Sequence, residues 1–182
     1  MRVSQKFLLS ALVCLLLATV GCAKYKITHE LESPIPIMNT CKIGSIVDEL
    51  PAETPEHERP SWEDISTLEN YLMEEFDKRE IMKLLGSSAE TDFEIQGSIL
   101  EYKKGSGVLR FFIGFGAGNA KVLLNLKLVN MSDGATVFGG NFSGTVSSWE
   151  ESGDKIFKQV SKDFTKQLEK RLKKLRKEQD QA

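Results

Sequence analysis

Between Ala120 and Asn130 the sequence alternates with little interruption. Val122, Leu124, Leu126 and Leu128 fall on one parity; Lys121, Asn125 and Lys127 fall on the other. Successive side chains of a strand point to opposite faces, so this stretch predicts a strand with one face on a core. Leu123 and Val129 break the polar parity and imply partial cover there as well. Residues 131–134 (MSDG) supply a turn, because Asp-Gly readily takes the left-handed backbone that hairpins need. The chain returns over 135–146 with Val137, Phe138, Phe142 and Val146. Gly139, Gly140 and Gly144 punctuate it, and glycine inside a strand marks a bulge, a bend or a close backbone approach. An antiparallel hairpin is therefore expected at the centre of the fold. A further strand is expected before it, over 108–113, with Arg110 paired to an acid of a neighbouring strand.

The segment 114–120, GFGAGNA, invites a phosphate-loop reading. That fingerprint needs G-x-G-x-x-G opening a helix, so that helix amides face the phosphate. Counting from Gly114, the sixth position is Asn119, and a strand follows. The segment reads instead as a corner between strands.

The N-terminus fixes the compartment. Arg2 and Lys6 make a basic start ahead of a 14-residue apolar run over 7–20, too short to span a bilayer and of the length of a secretory signal. It closes in ATVGC, and a small residue before cysteine in that place resembles the lipobox of bacterial lipoproteins. The resemblance implies removal of residues 1–21 and acylation of Cys22 (palmitate being the diagnostic label), with Cys22 as the new N-terminus. Ala23, where an aspartate would retain the protein, resembles lipoproteins passed to the periplasmic face of the outer membrane. Ordinary cleavage would leave Cys22 a plain thiol, free to bond Cys41. With Cys22 acylated, Cys41 is a lone thiol, either buried as a small hydrophobe or available between chains; a catalytic thiol is the least favoured reading. The mature chain carries 22 basic and 26 acidic residues, and a net charge of −4 makes nucleic acid an improbable partner.

The rest divides in order. Residues 25–31 alternate as a strand, suited to an edge, and 42–48 form another. The loop 51–60 holds three prolines; its Glu53, Glu56, His57 and Glu58 lack the rigid spacing of metal ligands and read as solvated. Ser61–Asp64 is a capping box, and Ile65, Leu68, Leu72 and Phe76 predict an amphipathic helix behind it. Residues 81–85 end that helix or form a short strand. Phe93, Ile95, Gly97 and Ile99 alternate, but Leu100 and Tyr102 shift the phase, so a bulge is expected near Gly97-Ser98. After Asp154 a long helix keeps Phe157, Val160, Phe164, Leu168, Leu172 and Leu175 on one face. From Asp154 onward the net charge is +5, against −9 for 22–153. Lys166, Lys170, Arg171, Lys173, Lys174, Arg176 and Lys177 form a candidate anion-facing surface, for lipid headgroups or an acidic partner; the alternative is a solvated face with pairs such as Glu169–Lys173.

With these elements in order, the chain resembles an uncharacterised family of bacterial lipoproteins, a domain of unknown function with a G-x-G-[AS]-G-x-A segment before a long hairpin. Here that segment is Gly114, Gly116, Gly118 and Ala120, and the resemblance covers about residues 40–175. More weakly, the order is similar to the periplasmic domain of the curli-secretion lipoprotein. The family implies no catalytic residues and no cofactor.

The expected architecture is α+β and two-layer: a mixed, mostly antiparallel sheet of five to six strands with two amphipathic helices on one face. The helix between the second and third main strands serves as a crossover that makes them parallel. Residues 22–40 would be the lipidated N-terminus, first strand and tether, 41–178 a single domain, and 179–182 a disordered tail. The function expected is a non-enzymatic interaction or assembly module, anchored in the membrane through Cys22 and meeting an envelope protein. A binding protein for a small lipid or glycan is the alternative, and it requires an enclosed apolar pocket. An enzyme is hard to assemble from two scattered histidines: His29 sits on a strand's apolar parity, where packing is its usual role, and His57 lies in a loop.

Overall fold

The computed structural model describes residues 25–32, 40–104, 119–146 and 154–181. Its elements are β1 (Tyr25–His29), β2 (Thr40–Asp48), α1 (Trp62–Arg79), β3 (Lys83–Leu84), β4 (Phe93–Lys103), β5 (Ala120–Asn130), β6 (Thr136–Val146) and α2 (Lys155–Gln179). The six strands form one sheet in the order β1-β6-β5-β4-β2-β3. β2 pairs parallel to both β4 and β3, while β4-β5-β6 is an antiparallel meander whose free side β1 closes, again antiparallel. The architecture is the expected α+β sheet with two helices on one face.

Local chemistry sets each boundary. Ser61 accepts from the Asp64 amide at 3.2 Å while Asp64 accepts from the Ser61 amide at 2.9 Å, the reciprocal capping box. At the other end Glu80 takes left-handed dihedrals and closes the helix. The hairpin turn places Gly134 at φ +73°, with its amide donating to the Asn130 carbonyl. The strand parity then sorts the core. Val122, Leu124, Leu126 and Leu128 are fully buried, as are Phe93, Ile95 and Ile99 beside them. Phe164 of α2 is the hub between layers, its ring 5.7 Å from Phe138, 5.3 Å from Phe142 and 6.3 Å from Phe76 of α1. At Gly144 the backbone of α2 comes so close that a Cβ would lie 2.4 Å from the Ile156 carbonyl oxygen. Close approach is thus the role of that glycine.

Two expectations move. The phase shift in β4 falls between Ile99 and Glu101, not near Gly97-Ser98. Gly97 instead faces a bulge in β2, where the register jumps from Ile43 to Ile46 opposite Ile95 and Gly97. The glycine marks its neighbour's irregularity. His29 is exposed rather than packed, its ring 3.1 Å from the Thr28 hydroxyl, because a bulge between Ile27 and His29 breaks the strand's parity. Cys22, Arg110 with the 108–113 strand, and Gly114, Gly116 and Gly118 lie outside the described residues; Ala120 opens β5.

Candidate interaction surface

Around α2 the side chains separate cleanly. Phe157, Val160, Phe164, Leu168, Leu172 and Leu175 are buried against the sheet and α1. At 100° per residue the opposite crest carries Lys162, Lys166, Lys170, Lys173 and Lys177, all exposed. Lys162 extends the candidate surface toward the helix start. Its place was legible from the fourfold spacing Lys158, Lys162, Lys166, Lys170, Lys174, which counting only the helix's second half overlooks.

The candidate cations differ in what they touch. Arg171 is half-buried and structural: its Nε donates to the Leu31 carbonyl at 2.9 Å, and a terminal nitrogen lies 3.7 Å from Glu30. Lys173 is bonded to Glu169, and Lys174 lies 3.8 Å from Glu178. Lys158 reaches Glu74 at 3.9 Å and sits 5.5 Å above the Tyr71 ring. Among the described residues no carboxylate pairs with Lys162, Lys166, Lys170, Arg176 or Lys177.

Beside the crest runs a charged seam that periodicity alone does not reveal. Glu75 of α1 is only 2% exposed and accepts from Arg79 at 3.0 and 3.1 Å; Arg79 crosses to Glu169 of α2 at 2.8 Å. Burial works against the charge on Arg79, but the bonds to Glu169 and Glu75 outweigh it and raise its pKa. Lys173 first, and Arg79 next, hold the Glu169 carboxyl below its ordinary range. An open groove of about 490 Å³ lies here, lined by Arg79, Glu169 and crest lysines. On the other flank a hollow of about 230 Å³ is shared by Ile27, Phe138, Gln167, Lys170 and Lys174.

The sheet's outer face has a different chemistry. Asn125 bonds Asn141 across strands at 2.7 Å, Lys121 meets Glu101 at 2.8 Å, and Lys42 lies 3.5 Å from Glu94. At one end of the sheet a cleft of about 700 Å³ opens between Thr91–Phe93 and the 130–132 turn. Cys41 is fully buried, and burial pushes its thiol up to about 12, so it packs as a hydrophobe. Burial, with Asp64 nearby, likewise raises the Tyr102 hydroxyl; burial and then Asp154, accepting at 3.0 Å, raise Tyr71. His57 is exposed, 3.8 Å from Glu58, on a different element from His29. Among the described residues no three His, Cys, Asp or Glu side chains are grouped to hold a metal, and no helix is long and apolar enough to cross a membrane.

Comparison with other proteins adds family and fold. The family model described as "Domain of unknown function (DUF4410)" matches residues 35–150. No curated protein matches the sequence. The PelC dodecamer from Paraburkholderia phytofirmans has a similar fold at 13% identity, with 80% of this chain and 96% of that one covered and a TM-score of 0.57. The hypothetical protein CT253 from Chlamydia trachomatis matches at 8% identity, 72% and 96% coverage, and a TM-score of 0.51. Lipoprotein GNA1162 from Neisseria meningitidis stands further off, at 9% identity, 71% and 97% coverage, and 0.44.

Proposed function

The chain belongs to the DUF4410 family, a domain of unknown function, and from that premise we propose that it is a lipid-anchored interaction module of the bacterial envelope. In this reading acylated Cys22 holds it on the periplasmic face of the outer membrane, where it docks another envelope protein or a second copy of itself without performing a reaction. The observation that carries the reading is where the perturbed titratable groups lie. Arg79, Glu169, Tyr71, Tyr102 and Cys41 are each tied into the seam, the helix start or the core. Shifted groups are candidates for chemistry when they converge in a cleft. Here Arg79 and Glu169 border the open groove but are spent on each other and on Glu75 and Lys173, the other three serve packing, and broad open faces are left for contact. A subunit of similar fold occurs in the PelC dodecamer, which supports a second copy as a candidate partner.

Two measurements test this. Cys22→Ser should abolish palmitate labelling; unchanged labelling removes the anchor. Crosslinking of the tagged protein in cells, followed by mass spectrometry of the membrane fraction, should give one reproducible envelope partner or a self-crosslink, lost on Asn125→Arg with Asn141→Arg. Those asparagines sit at the centre of the sheet's outer face. Recovery of a bound lipid or glycan and no protein, at every crosslinker length, would overturn the module in favour of a small-ligand binder, with the 700 Å³ cleft as its first candidate site.

A further inference from the structure

We propose that the lysine crest of α2 lies against the anionic headgroups of the same bilayer that the acyl chains of Cys22 enter. The domain then rests on its helical layer and turns the sheet's outer face to the periplasm. This rests on the lipid anchor proposed above and adds an orientation to it.

The argument begins with where the N-terminal strand sits. β1 flanks α2: Ile27 shares a hollow with Lys170 and Lys174, and Arg171 holds the Leu31 carbonyl at 2.9 Å. Tyr25 stacks on Phe142 at 6.2 Å, and the Phe142 ring touches Phe164 at 5.3 Å. The first described residue is therefore level with Phe164, close to the middle of α2. From Lys155 to Lys177 the helix rises about 33 Å, with Phe164 between its ends. Two residues, and so three Cα-to-Cα steps, separate Tyr25 from Cys22, a reach of at most about 10 Å. A bilayer entered by Cys22 is thus held beside the midpoint of the crest, not at a distant pole of the domain.

Charge then selects the face. Lys162, Lys166 and Lys170 follow one another at intervals of four, a spacing at which like charges destabilise a helix. Among the described residues none of the three has an ion pair, the nearby Glu169 being taken by Lys173 and Arg79, whereas Lys121 and Lys42 on the sheet each have a cross-strand carboxylate. An anionic plane removes the repulsion and attracts each lysine within a Debye length of the surface. The acyl chains supply the hold; the crest supplies the orientation.

The test uses the full acylated lipoprotein in vesicles of pure phosphatidylcholine and in vesicles containing phosphatidylglycerol. Rates of lysine acetylation are read residue by residue by mass spectrometry. Lys162, Lys166, Lys170 and Lys177 should react several-fold more slowly in the anionic vesicles at low salt, and equally in both at high salt. Lys121 and Lys103 should not respond. Reversal of Lys162, Lys166 and Lys170 to Glu should erase the protection at the remaining crest residue, Lys177, while the protein still floats with the vesicles. Equal crest rates in both vesicles, protection on the sheet side, or protection that appears only with an added acidic protein would each overturn the orientation. Failure of the anchor itself would read differently: the protein would float with neither vesicle.

Discussion

Lys121 and Lys166 are both solvent-facing lysines on regular elements, yet the fold treats them oppositely. Lys121 has Glu101 at 2.8 Å on the adjacent strand; Lys166 has lysines four residues away on either side and no ion pair among the described residues, since Glu169, three residues on, is held by Lys173 and Arg79. Cross-strand pairs and helix i,i+4 pairs contribute comparable small energies, so the asymmetry is not a matter of which element can support an ion pair. It is a matter of sequence: Glu94 and Glu101 stand within reach of Lys42 and Lys121 on the sheet, even though Lys103 is registered opposite Lys121, whereas lysine follows lysine along the helix crest. A face whose lysines already meet acids needs no counter-charge from outside, whatever protein docks on it. A face that leaves its charges unmet costs some stability and is better suited to an external anion.

The comparison breaks most severely if the crest has no fixed position, and Phe164 holds it there. Phe164→Ala removes a fully buried ring in contact with both layers and should cost about 3–5 kcal/mol, read from the urea midpoint. A loss below about 1 kcal/mol would mean that α2 is seated by something other than this hub.

Next in size is the seam, the counterexample of a cation fully used by the fold. Arg79→Ala leaves the buried Glu75 carboxylate with only the exposed Lys78, 3.8 Å away, and losing the close partner of such a pair should cost about 3 kcal/mol. Glu75→Gln in the same background should restore much of that loss, because the penalty is an unpaired charge. No rescue would place the effect of Arg79 in the packing of its stem.

A pH titration tests the seam again. Glu169 is held below its ordinary value of 4.5, mainly by Lys173 and then Arg79. A carboxylate with a lowered folded pKa contributes stability that is fully present above its unfolded value and lost as pH falls through the folded one. Stability should therefore decline below about pH 4.5 by a smaller amount in Glu169→Gln than in the parent. Parallel declines would show that Glu169 is not coupled to folding.

How much of this was legible in the sequence depends on the range of the interaction. Strand parity from Ala120 to Asn130, the Ser61–Asp64 box and the stripe through Phe164 are local patterns, and each element formed where its pattern lies. The parallel pairing of β2 and β4 followed from chain connectivity. The seam was hidden because Glu75 and Glu169 are 94 residues apart, and only the side-by-side packing of the helices brings Arg79 to both. His29 failed for the opposite reason: a single bulge in a five-residue edge strand reverses parity, and no short pattern signals it. Of the candidate cations, Arg171 belongs to the fold rather than the crest, since its partner is the backbone of Leu31, distant in sequence.

The smallest effect bears most directly on the contrast. Lys166→Glu turns two like-charge neighbours, Lys162 and Lys170, into attractive ones, with Glu preceding Lys by four the better orientation, against repulsion from Asp163 and from a Glu169 already neutralised by Lys173 and Arg79. The isolated domain should gain a few tenths of a kcal/mol, roughly 1 °C in Tm. Lys42→Glu on the sheet should lose a comparable amount by facing Glu94, its registered partner on the next strand. Opposite signs from the same substitution in one domain, measured by thermal denaturation at low salt and shrinking together as salt is added, would show that the crest gives up stability the sheet face retains. If both substitutions destabilise, the crest lysines stabilise the monomer, and the case for an external anion falls with the asymmetry that motivates it.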